Sequence, residues 1–243
     1  MKYPFLENNE LILIDYVPGS SGQLLLRLWS ELDSKLNYEN EKIISHTSIT
    51  QHVASREIDY DIAIPKRITN WFLDKCQPET VYDYVQYFEF LGTWLVAMSQ
   101  RWVRGSQSIK FYGTEEYSIT GMRILYGIHS WKHSIPFNEI RNLGYNVKCF
   151  TIVPSTPQGI QYQLNRAQAC YHYPETEIRE YYQAVNNKLV EHPMDFCTML
   201  VNKDSNSIID WLKRNIGHSF RADKVGWANT ILNTYYQEII DNV

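Results

Sequence analysis

The segment Pro18-Gly19-Ser20-Ser21-Gly22-Gln23-Leu24 carries the residue types that hold an anion through backbone and hydroxyl groups. Gly19 and Gly22 permit positive φ and close backbone approach. Ser20 and Ser21 supply hydroxyl donors, Gln23 an amide, and no carboxylate sits in the turn to repel negative charge. Where a helix begins, its first backbone N–H groups lack intrahelical partners and carry partial positive charge. A phosphate or sulfate is well held in front of them. The same residues also make an ordinary turn with a serine N-cap, and on sequence both readings stand. No lysine follows Gly22, so the Walker form G-x-x-x-x-G-K-[ST] is absent and ATP or GTP hydrolysis is disfavoured.

A second group is Ile128-His129-Ser130-Trp131-Lys132-His133, directly after an apolar run. A histidine there suits a general base, because its ordinary pKa lies near neutrality. Lys132 suits neutralising charge that develops on a leaving or bridging oxygen. The plain alternatives are a solvated loop histidine or one that caps the helix starting near Pro136. His129 and His133 are four apart, but no H-E-x-x-H pattern or third ligand accompanies them, so no metal site is assigned. The third group is Ser155 and Thr156 before Pro157, again hydroxyls and free N–H groups at a helix start. Arg166, in that helix, is the nearest fixed positive charge for a phosphate, or else a surface arginine.

One sheet must carry these groups if they are to act together. Leu11–Tyr16 is a short apolar run typical of a buried strand, and Leu25, Leu28, Trp29, Leu32 and Leu36 form a helical stripe after the turn. Met122–Ile128 and Val147–Val153 read as further strands, with Ile43–Ile44, Ile62–Ile64 and Lys110–Tyr112 as shorter candidates. Helices are expected on either side of Pro78 within Arg67–Arg104, over Pro136–Leu143 closed by Gly144, and from Pro157 to about Cys170. Others are expected over Glu175–Glu191, Ser207–Ile216 and Asp223–Ile240. Strands alternating with helices predict a three-layer α/β/α domain with a central parallel sheet and a helix-rich C-terminal part. At 243 residues, one domain over 1–243 is the default.

The net charge of −4, without a basic run, argues against a broad nucleic-acid footprint. Cys76, Cys149, Cys170 and Cys197 contain no C-x-x-C pair and fit neither a zinc pattern nor a disulfide scaffold; Cys149 is expected to be a buried thiol. No stretch approaches the roughly 20 apolar residues of a membrane span. Met1–Glu10 lacks the apolar core of a signal peptide, so a cytoplasmic location is expected.

In this order the three groups resemble the sulfotransferase family. That family's strand–loop–helix, of the type P-[KR]-S-G-[TS]-[TS]-x-L, holds the 5′-phosphosulfate end of 3′-phosphoadenosine-5′-phosphosulfate. Pro18-Gly19-Ser20-Ser21-Gly22-Gln23-Leu24-Leu25 looks like that loop with one extra residue, and the resemblance covers Leu11–Leu36 and Met122–His172. It implies a P-loop-like fold with Gly19, Ser20, Ser21, Gly22, Gln23 and Leu24 at the donor's phosphosulfate. It further implies His129 as the base for an acceptor hydroxyl on a small molecule or glycan, and Lys132 as an auxiliary charge. For the 3′-phosphate, Ser155 and Arg166 are the candidates, as substitutes for the family's own arginine and serine, neither of which is matched; the position of that serine falls near Gln161 or Tyr162. The family's loop Lys or Arg is replaced by Gly19 or Ser20, and its R-N-P after the third strand becomes Pro154-Ser155-Thr156. Two other functions therefore stay open. One is a non-catalytic nucleotide- or partner-binding protein on the same fold. The other is a different P-loop phosphotransferase, with Asp15 the one strand-end carboxylate for Mg²⁺.

Overall fold

A computed structural model of the chain describes residues 3–17, 19–35, 77–104, 123–128, 134–171, 174–176, 178–180, 192–238 and 240. The elements in order are α1 (Pro4–Asn8), β1 (Glu10–Asp15), α2 (Gly22–Leu32), α3 (Val81–Arg104), β2 (Arg123–Ile128), α4 (Phe137–Asn142) and β3 (Val147–Ile152). Then come α5 (Pro157–Tyr171), β4 (Pro193–Met194), α6 (Phe196–Val201), α7 (Ser205–Ile216) and α8 (Val225–Glu238). The 3₁₀ turns Gly217–Ser219 and Ala222–Lys224 join α7 to α8. The expected strands at Ile43–Ile44, Ile62–Ile64 and Lys110–Tyr112, the helix before Pro78 and most of Glu175–Glu191 lie outside the described residues.

The four strands form one parallel sheet in the order β2-β1-β3-β4. Strand β1 reads as an unbroken apolar run because helices cover both faces of the sheet. Ile12 and Ile14 join Leu125, Phe150 and Ile152 under Leu25, Leu28, Trp29 and Leu32 of α2 and the inner sides of α7 and α8. Leu11 and Leu13 face the other way, with Tyr126, Ile128, Val147 and Cys149, against α1, α3 and α4. On that face Glu89 of α3 accepts the backbone N–H groups of Phe5 and Leu6 at 2.8 Å each, satisfying donors at the start of α1.

The helical stripe expected to run to Leu36 ends at Leu32. Asp33 turns to extended backbone and pairs with Phe220. Its carboxylate accepts the Trp29 indole N–H and the Arg123 guanidinium, so side-chain bonding stops the helix where apolar spacing alone would continue it. Arg123 also donates to Glu10, Ser219 Oγ and the Ile216 carbonyl, and Lys148 pairs with the other Glu10 oxygen. This charged clasp closes the amino-terminal end of the sheet.

Helix α7 begins at Ser205, two residues before its expected start, because Asp204 accepts the Ser207 N–H as an N-cap. Gly144, at φ +93°, closes α4 as read. Elements α1, β4 and α6 had no sequence reading. Each is short, and β4 exists through its pairing of Pro193 and Met194 with Thr151 and Ile152.

Candidate functional site

Asp15 pairs with both Ile128 and Thr151, so the carboxyl ends of β1, β2 and β3 lie level. Among the described strands, the next in sequence after β1 is its neighbour on one side, β2, then its neighbour on the other, β3, and then β4 beyond β3. The connections leaving β1 and β3 therefore part in opposite directions. Open α/β sheets bind ligands at such a point, outside the carboxyl ends. The two turns that flank it here are Tyr16–Ser21 and Val153–Thr156.

The first turn is tightly packed. Gly19 has φ +85°, and a Cβ there would run into the Gln163 carbonyl and lie 2.8 Å from the Ala167 amide, so α5 passes directly over the turn. Gly22 is required for a different reason: its Cβ would fall inside the Tyr16 ring, which also packs against Gly127. Ser20 is 0% exposed, its hydroxyl donates to the Val17 carbonyl at 2.7 Å, and its own carbonyl accepts the Cys197 thiol. Ser20 is thus a packing residue of the turn, not the outward hydroxyl donor expected from sequence. Burial pushes the Cys197 thiol well above its ordinary pKa and leaves it unreactive.

Ser21 is the N-cap of α2 in a left-handed backbone, φ 59°, but its side chain makes no capping bond. Its hydroxyl instead meets Tyr162 Oη at 2.7 Å and Tyr235 Oη at 2.6 Å, and the two phenols are 2.7 Å apart. Three hydroxyls from α2, α5 and α8 thus close a triangle at the start of an eleven-residue helix. Burial drives the Tyr162 phenol far above its ordinary pKa, the neighbouring Tyr235 adds to this, and Ser21 and the charge of Arg166 oppose it. Tyr162 therefore stays protonated and able to donate. Arg166 lies one helical turn after Tyr162, half-buried. Gln23 and Leu24 are half-buried in the first turn of α2, and Leu24 packs on the core.

At the second turn, the Ser155 hydroxyl donates to the Asp195 carboxylate, and Thr156 Oγ1 bonds Thr198 Oγ1 at 2.8 Å while accepting the Gly159 N–H. Ser155 is therefore tied to α6 and stands beside a negative charge, not among the hydroxyls at Ser21. The structure brings together Ser21, Tyr162 and Tyr235, and the charge of Arg166 acts on Tyr162. His129, Lys132 and Pro18 lie outside the described residues. Asp15, the strand-end carboxylate, is buried.

Tyr162 and Tyr235 fall within the helices expected from Pro157 to about Cys170 and over Asp223–Ile240, but the sequence joins neither to the β1–α2 turn. The two are 73 residues apart, and no local signal pairs them. Comparison with protein-family models, with curated proteins and with solved structures finds no match to this chain.

Proposed function

We propose that this chain binds the phosphate end of a nucleotide at the β1–α2 turn and transfers a sulfuryl group from 3′-phosphoadenosine-5′-phosphosulfate to an acceptor hydroxyl. The observation that carries the reading is the position of Ser21. It starts a helix at the switch point of the described strands, beside two phenol hydroxyls, one of which, Tyr162, feels the charge of Arg166. On this reading the amides around Gly22 and the Ser21 hydroxyl hold the donor's phosphosulfate as a P-loop would. His129 takes the acceptor proton as the acceptor oxygen bonds to sulfur. The bond from sulfur to the bridging oxygen breaks, and adenosine 3′,5′-bisphosphate leaves with Lys132 balancing its charge. Alignment and charge stabilisation supply most of the rate. Ser155 is left out, because a phosphate placed there would meet Asp195.

A second reading, a non-catalytic binder on the same fold, is favoured by the closed hydroxyl triangle, since Ser21 already has two protein partners. Thermal unfolding with adenosine 3′,5′-bisphosphate, and separately with ATP–Mg²⁺, distinguishes these readings. A ligand that binds only the native state raises its apparent stability in proportion to the logarithm of concentration over Kd. Stabilisation by the bisphosphate alone supports the nucleotide site, and turnover then separates the transferase from a non-catalytic nucleotide binder. Stabilisation by ATP–Mg²⁺ alone points to a phosphotransferase, and by neither to the non-catalytic binder. Where the bisphosphate binds, His129→Ala is expected to abolish turnover and leave binding intact.

A further inference from the structure

We propose that Tyr235 is a self-closing contact on this site: its phenol is hydrogen-bonded to the Ser21 hydroxyl and must be displaced before a phosphate or sulfate oxygen takes its place. The inference rests on the reading of the β1–α2 turn as an anion site. A serine hydroxyl has one proton to give and two lone pairs to accept with. Phenol oxygens at 2.6 and 2.7 Å occupy positions that a ligand oxygen bonded to Ser21 would need.

Of the two phenols, Tyr162 is the fixed one. It is buried, and its helix is locked over Gly19 and joined to α6 through the Thr156–Thr198 bond. Tyr235 is half-buried on α8. That helix stays anchored without it, through Ala228 and Leu232 in the core, the Tyr236–Ser205 bond and Arg27 over the Trp227 ring. A side-chain rotation at Tyr235 therefore opens the triangle without moving the helix, and its phenol exchanges two protein partners, Ser21 and Tyr162, for water at modest net cost. A ligand oxyanion offers Ser21 and Tyr162 charge-assisted bonds, stronger than the neutral ones they replace. Closure thus lowers apparent affinity by the fraction of molecules that are open.

Calorimetric titration of adenosine 3′,5′-bisphosphate into the full chain and its Tyr235→Phe variant tests this. The variant keeps the ring and removes the hydroxyl with its bonds to Ser21 and Tyr162, and is expected to bind about thirtyfold more tightly, the weight of two neutral hydrogen bonds. Tyr235→Leu is expected to shift affinity in the same direction, and melting curves without ligand check that both variants are folded. In a Ser21→Ala background, the gain from Tyr235→Phe is expected to shrink to what release of Tyr162 alone supplies, about fivefold. Tighter binding by the variant, or binding by the variant alone, supports the contact. If the unaltered chain binds and Tyr235→Phe binds equally or more weakly, the contact is overturned and the anion site stands. If no form binds, both are overturned.

Discussion

Ser21 combines two properties that are separable by substitution. Its backbone sits in the left-handed region, which disfavours a residue with a Cβ by roughly 1–2 kcal/mol, and its hydroxyl joins two phenols. Ser21→Gly relieves the first and loses the second, so its stability in urea is expected to fall within about 1 kcal/mol of the original. Ser21→Ala keeps the strain and removes both bonds, and is expected to be destabilised by about 1–2 kcal/mol more than the glycine variant. Gly19→Ala meets backbone atoms of α5, which cannot rotate aside, and is expected to lose about 2–3 kcal/mol. That both glycines matter was legible in the sequence; what each one touches was not. Ser20 and Ser21 look interchangeable as letters, and only the fold turns one inward to Val17 and the other toward the tyrosines.

Elements with their own periodicity or caps were legible: β1, β3, α2, α5, α7 and α8 follow from apolar spacing and helix-start residues near their observed bounds. Those made by partners were not, as with the two-residue β4 and the stop of α2 at Asp33. Helix α7 offers a test at this scale. Asp204→Ala removes the cap that accepts the Ser207 N–H and is expected to cost about 1 kcal/mol, read from the urea midpoint. The bonds from Ser207 also hold the Asp204 carboxyl below its ordinary pKa. A depressed folded value means the cap's contribution is complete above the unfolded pKa of about 4 and fades as pH falls through the folded one. The difference between Asp204→Ala and the original chain is therefore expected to shrink below about pH 4.

Across the whole molecule, the clasp of Glu10, Arg123, Asp33 and Lys148 ties three strands to the end of α2 and to the turn after α7. Arg123→Met leaves two buried carboxylates short of their partner and is expected to cost about 3–5 kcal/mol in denaturant unfolding. Burial alone would raise the Glu10 carboxyl, but Lys148 and Arg123 outweigh it and hold the group below its ordinary value. Its stabilisation is thus present above the unfolded pKa and lost as pH falls through the lower folded one, so Glu10→Gln is expected to flatten the acid limb of the stability profile. Each end of α2 also depends on a partner far away in sequence. Ser21 meets a residue 214 positions later, and Asp33 pairs with Phe220. During synthesis on the ribosome this helix emerges long before the segments that cover it, with Leu25, Leu28 and Trp29 still bare. Contacts so distant in sequence slow folding and lengthen the time in which such surface can aggregate. Truncated nascent chains ending before α7 are expected to be captured by chaperones that bind apolar segments, and release should follow once α8 has cleared the exit tunnel.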